Sequence, residues 1–140
     1  EGSGAHLGKK ILTHFLYDLL PADIHSDFEN TYHLTRDSIN DFVYKKPNPN
    51  VLLASFSTFY TKHRDNNYIH ELIMNNFRDF MTLYVCNYPD YQKVKVHFVG
   101  SIAFYFEKEL KAVANELNIT IGNIVKQPVE GLMNYYINKK

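Results

Sequence analysis

The stretch Val94-Lys95-Val96-His97-Phe98-Val99-Gly100-Ser101 decides the fold class. Val94, Val96 and Phe98 alternate with Lys95 and His97, the period of a half-buried strand, and Val99-Gly100-Ser101 predicts a tight turn at its end. Ser101 is placed to cap a helix reaching Leu117. Ile119 to Val125, rich in β-branched residues, predicts a second strand, and Pro128 opens a last helix reaching Tyr136. Two strands joined by a helix of this length imply a right-handed parallel crossover, so this part of the chain is α/β. A two-stranded parallel sheet is too small to stand alone, and further strands are expected from elsewhere.

Upstream the period changes to that of helices. Leu7, Ile11, Phe15 and Leu19 recur every four residues and Leu12 and Leu16 widen the stripe, which predicts an amphipathic helix over 5–20, capped by Ser3 and stopped by Pro21. Residues 22–44 read as two short helices, the second capped by Thr35 and running through Asp37, Ile39, Phe42 and Val43. Pro47 and Pro49 make 45–50 a loop, with Asn50 capping the next helix. In that helix Leu52, Leu53, Phe56, Phe59 and Tyr60 fall at helical spacing. After Asn67 a longer helix carries Ile69, Leu72, Ile73, Phe77, Phe80, Met81, Tyr84 and Val85. The expectation is one domain, with a mainly helical part over 1–88 and a strand-helix-strand-helix part over 89–140.

With 140 residues, 45% of them hydrophobic and 21% charged, the chain has the composition of one globular domain. Fifteen Lys plus Arg balance fifteen Asp plus Glu, which leaves no basic excess for phosphate backbones and disfavours nucleic-acid binding. There is no apolar run of the roughly 18 residues that cross a bilayer, and no basic segment followed by an apolar one at the start, so neither membrane insertion nor secretion is indicated. The one cysteine, Cys86, excludes an internal disulfide and a Cys-rich metal centre, is read as a core residue, and fits a reducing cytoplasm. Seven histidines show no HExxH spacing and read as surface or half-buried groups rather than metal ligands. Phe77, Phe80 and Tyr84 read as core.

Three glycine turns are the candidate binding elements. Gly2-Ser3-Gly4 at a helix start offers free N–H groups and room for a phosphate, although the same pattern serves as an engineered linker or a flexible start. Gly100 would let a nucleotide lie against the backbone at the carboxyl end of a strand, where ligands of open α/β sheets bind, or it serves the turn alone. Gly131, in the turn from Lys126 to Gly131, costs roughly 1 kcal/mol in a helix start relative to Ala. Either a ligand or another helix comes close there. If the strands are parallel neighbours, this turn sits beside Gly100.

Read together, the segments Glu1 to Gly8, Val96 to Ala103 and Gln127 to Leu132 resemble the C-terminal half of the N-acetylglucosamine kinase-like, BadF/BadG/BcrA/BcrD-type ATPase family, in matching order along most of the chain. The Pro47-Asn48-Pro49-Asn50 loop before Leu52 resembles an insert of the bacterial members. The resemblance implies the second ribonuclease H-like lobe of an actin-like ATPase fold, with a small parallel sheet that is incomplete in this chain. It implies ATP and magnesium (Mg2+) as cofactors, a small sugar as substrate, the N-terminal lobe as partner and a homodimer as a further expectation. By the same carry-over Gly100 and Ser101 flank the phosphates and ribose, Gly131 lies near the adenine, and Gly2 and Ser3 face the cleft. No catalytic residue is expected in this chain. The family's Asp near the sugar would precede Glu1, and the base and the first phosphate loop belong to the other lobe, so the chain alone is expected to be inactive. Two other readings are an activator ATPase of 2-hydroxyacyl-CoA dehydratases, which needs cluster-binding cysteines this chain lacks, and a non-catalytic interaction or sensor domain.

Overall fold

The computed structural model describes residues 1–35, 38–39 and 48–129. The chain forms two compact units, one of Glu1 and Ser3–Ile73, the other of Gly2 and Met74–Lys140.

In the first unit, α1 spans Gly4–Leu16, α2 Ala22–Tyr32, α3 Pro49–Ser55 and α4 Ser57–Lys62. Ser3 caps α1 as expected, its side chain accepting the His6 N–H at 3.2 Å. The helix ends a turn earlier than its periodicity predicts. Asp18 takes a left-handed φ of 53°, Leu19 N–H donates to His14 O at 2.8 Å and Asp18 N–H to Phe15 O at 3.2 Å. This is a Schellman stop built on Asp rather than Gly. Leu19 is consequently 55% exposed instead of continuing the stripe. Thr35 caps as expected, accepting the Ser38 N–H at 3.1 Å, whereas Phe42 and Val43 lie outside the described residues. Asn50 does not cap α3. Asn48, at φ 61°, precedes Pro49 at the first helical position, which suits a residue with a preset φ and no N–H, and Asn50 lies inside the first turn.

The core of this unit is aromatic. The Phe28 ring lies 5.3 Å from Phe15, 5.3 Å from Phe56 and 5.1 Å from Phe59. Buried Tyr60 donates its hydroxyl to Leu7 O at 2.8 Å, and burial pushes the phenol's pKa far up. α1 and α3 meet backbone to backbone: a Cβ on Gly8 would stand 1.8 Å from Leu53 O. Such an approach is open only to glycine.

Helix α5 (Asn67–Phe80) starts at Asn66, whose side chain accepts the N–H groups of Tyr68 and Ile69, and it ends in a π turn over Met81–Val85. The wider turn, with Cys86 N–H on Met81 O at 2.9 Å, shifts the apolar stripe. Phe77 and Met81 are buried as expected, but Phe80 is half-buried, Tyr84 is exposed and Cys86 is half-buried rather than core.

In the second unit β1 (Lys95–Val99) pairs in parallel with β2 (Thr120–Val125), as expected. The helix-rich α/β reading with a small two-stranded parallel sheet therefore holds. Alternation is weaker than the sequence predicts: Val94 precedes the strand and is exposed, and only Phe98 is buried. The register shifts between Val96 and Phe98, where Asn123 N–H donates to His97 Nδ1 at 3.0 Å. A Cβ on Gly122 would stand 2.6 Å from the His97 ring, so the glycine makes room for it.

The expected helix over 101–117 is two helices, α6 (Ser101–Tyr105) and α7 (Glu107–Glu116). They break at Phe106, whose non-helical φ of −109° and ψ of 37° accompany a completely buried ring. Ser101 is not the cap; Gly100 holds that position and Ser101 is already helical. Pro128 and Val129 begin a helical turn, and the rest of the expected last helix, Gly131 included, lies outside the described residues.

Candidate functional site

Parallel pairing puts the carboxyl ends of β1 and β2 side by side. Gly100 N–H donates to Val125 O at 2.8 Å, so the turn after β1 and the turn after β2 are neighbours, as the sequence predicts. Gly100 has φ 138° and ψ 156°, backbone that an L side chain rarely adopts. A Cβ placed on it would meet nothing within 4 Å. The glycine is thus required by the turn, and the face above it is open to an approaching group.

No side chain caps α6, and the first-turn N–H groups of Ser101, Ile102 and Ala103 have no acceptor inside the helix. Gly100 itself is not such a donor, because its N–H is spent on Val125. Beside the turn, the Lys126 ammonium lies 4.8 Å from the Tyr105 ring and 5.8 Å from the Phe104 ring. Both rings are partly open, at 48% and 43% exposure. Lys126 was not marked by any sequence motif; the only signal was its place in the turn after the second strand.

The other candidates sit elsewhere in the chain. Ser3 is committed to capping α1, and Gly2, at φ 75°, lies against Phe80, whose ring would stand 2.8 Å from an added Cβ. Gly2-Ser3-Gly4 is thus part of the fold rather than a loose linker. Strand pairing brings together Gly100, Ser101 and Lys126; it leaves Gly2 and Ser3 at the head of α1.

Among the described residues no group of three His, Cys, Asp or Glu is placed to hold a metal ion. Several histidines serve structure. His63 and Lys62 both donate to Asp27, each at 2.7 Å, and the Lys62 and His63 contacts hold that carboxyl below the usual carboxylate range. His14 hydrogen-bonds the Tyr68 hydroxyl at 2.7 Å, and burial, with nearby Lys10, lowers its pKa. Among the described residues no helix is long and apolar enough to cross a membrane.

No family model matches the chain, and no curated protein matches it. Solved structures do. One is the crystal structure of a Porphyromonas gingivalis protein described as a candidate N-acetylglucosamine kinase, which superposes with a TM-score of 0.92 at 36% sequence identity over 99% of this chain. This chain is similar to that candidate N-acetylglucosamine kinase. At that identity the chain shares more than a backbone path with its neighbour, since the likeness extends through both compact units. It spans about half of that neighbour, 49% of its length.

Proposed function

We propose that this chain is the C-terminal, nucleotide-binding lobe of an ATP-dependent sugar kinase of the N-acetylglucosamine kinase type, with an actin-like ATPase fold completed by a first lobe. The observation that carries the reading is the 36% identity over nearly the whole chain to a candidate N-acetylglucosamine kinase, together with an open glycine turn where ligands of parallel sheets bind.

In the proposed reaction a sugar hydroxyl oxygen attacks the γ-phosphorus of ATP. The bond from the γ-phosphorus to the β–γ bridging oxygen breaks, ADP leaves with the electron pair, and the hydroxyl proton passes to a base expected in the first lobe. Such a transfer asks mainly for positioning and charge stabilisation. Gly100 would supply the first by letting the nucleotide approach the turn, and the uncapped N–H groups of Ser101 to Ala103 would supply the second. Gly131 would lie near the adenine, and Gly2 and Ser3 at the cleft. Magnesium would neutralise phosphate charge, and no described residue is assigned to it.

The test is release of ADP by the full-length protein with magnesium-ATP across a panel of sugars that includes N-acetylglucosamine, with Gly100→Val alongside. Sugar-dependent release that Gly100→Val abolishes is the expected outcome. Release with no sugar in the panel would overturn the kinase reading and leave a non-catalytic interaction domain in its place.

A further inference from the structure

We propose that Lys126 is a phosphate-binding residue of this turn, leaving its resting place over Tyr105 and Phe104 to pair with the phosphate chain of a bound nucleotide. The inference rests on the nucleotide reading above and adds a side chain to what was there a backbone site. Three observations carry it. The first is position: Lys126 directly follows Val125, whose carbonyl accepts the Gly100 N–H at 2.8 Å, so strand pairing sets the lysine next to the open glycine.

The second is charge. Four cations of the described chain are matched to acids, Lys62 to Asp27, Arg78 to Glu116, Lys93 to Asp90 and Lys111 to Glu107. Lys126 has no carboxylate partner among the described residues; its described contacts are the two rings, at 4.8 and 5.8 Å. The third is the nature of that contact. A solvent-exposed cation over ring faces is held weakly, whereas an ammonium on a phosphate makes a charge-assisted hydrogen bond about twice as strong as a neutral one. A lysine also suits the task mechanically, being a compact charge on a long flexible stem that can swing from one partner to the other.

The experiment titrates the full-length protein with ADP and, separately, with adenosine, which carries no phosphate. Lys126→Met keeps an unbranched stem and removes the charge; Lys126→Arg restores a cation. The expected result is an ADP affinity reduced about tenfold or more in Lys126→Met, an unchanged adenosine affinity, and ADP binding largely recovered in Lys126→Arg. The salt dependence of ADP binding should also flatten in Lys126→Met. Equal ADP affinity in Lys126→Met and wild type would overturn the inference. So would an equal loss for ADP and adenosine, which would mark a packing role. A wild-type protein that binds neither ligand would instead overturn the nucleotide reading on which the inference stands.

Discussion

Residues 3–73 and residues 74–129 bury their side chains by different means. In the first unit rings interlock around Phe28, and α1 and α3 approach so closely that Gly8 faces the Leu53 carbonyl. In the second, β1 buries only Phe98 and β2 buries no residue, while Val99, Phe104 and Tyr105 stay exposed around the Gly100 turn. The closed region contributes stability. The open one leaves those side chains exposed where the strands end, and glycine has a different task at two positions, close contact at Gly8 and backbone conformation at Gly100.

The largest effect should come from breaking the closed side. Phe28→Ala removes the ring at the centre of the aromatic cluster and is expected to cost about 3–5 kcal/mol in urea unfolding, because the interlocked neighbours cannot collapse into the gap. Gly8→Ala should cost about 1–3 kcal/mol, and Gly8→Leu more, since each added atom drives α1 further from α3. At Gly100 the rule reverses. Gly100→Ala and Gly100→Leu should cost similar amounts, about 1–3 kcal/mol each, because φ and not space is limiting there. A steep rise from Ala to Leu at Gly100 would show that the face is not open and would break the comparison.

A smaller effect is expected for Tyr60→Phe, about 1 kcal/mol, through loss of the hydrogen bond to Leu7 O with the ring retained. The smallest is a pH effect. Burial lowers the His14 pKa below its ordinary 6.5, so the unfolded chain binds this proton more readily than the folded one. The stabilising contribution is fully present above pH 6.5 and is lost as the pH falls through the lowered folded value. His14→Gln should flatten that part of the stability profile; an unchanged slope would exclude His14 as its source.

The parallel pair was legible because alternation at 94–98 and β-branched residues at 119–125 are both local signals, and the Ser3 cap because a Ser stands directly before a periodic apolar run. The break at Phe106 was not. Ile102, Ala103, Phe106, Leu110, Val113 and Ala114 continue one helical stripe, and the residue that leaves the helical region is a phenylalanine rather than Gly or Pro. The stop at Asp18 was hidden likewise, since a left-handed Asp resembles any exposed helical Asp. Gly122 did carry a signal, a lone glycine inside a strand, which marks a bulge or a close approach. In the candidate site Gly100 was legible as a turn glycine. Lys126 carried no motif of its own, only its place in the turn expected beside Gly100, where strand pairing sets it.

The Gly100 turn is the proposed seat of a nucleotide. The most direct measurement is the thermal stability of the full-length protein titrated with magnesium-ADP, since a ligand that binds only the folded state raises Tm as its concentration exceeds Kd. A saturable rise in Tm that Gly100→Val removes is the predicted result. No rise at millimolar nucleotide, or an equal rise in Gly100→Val, would contradict the account.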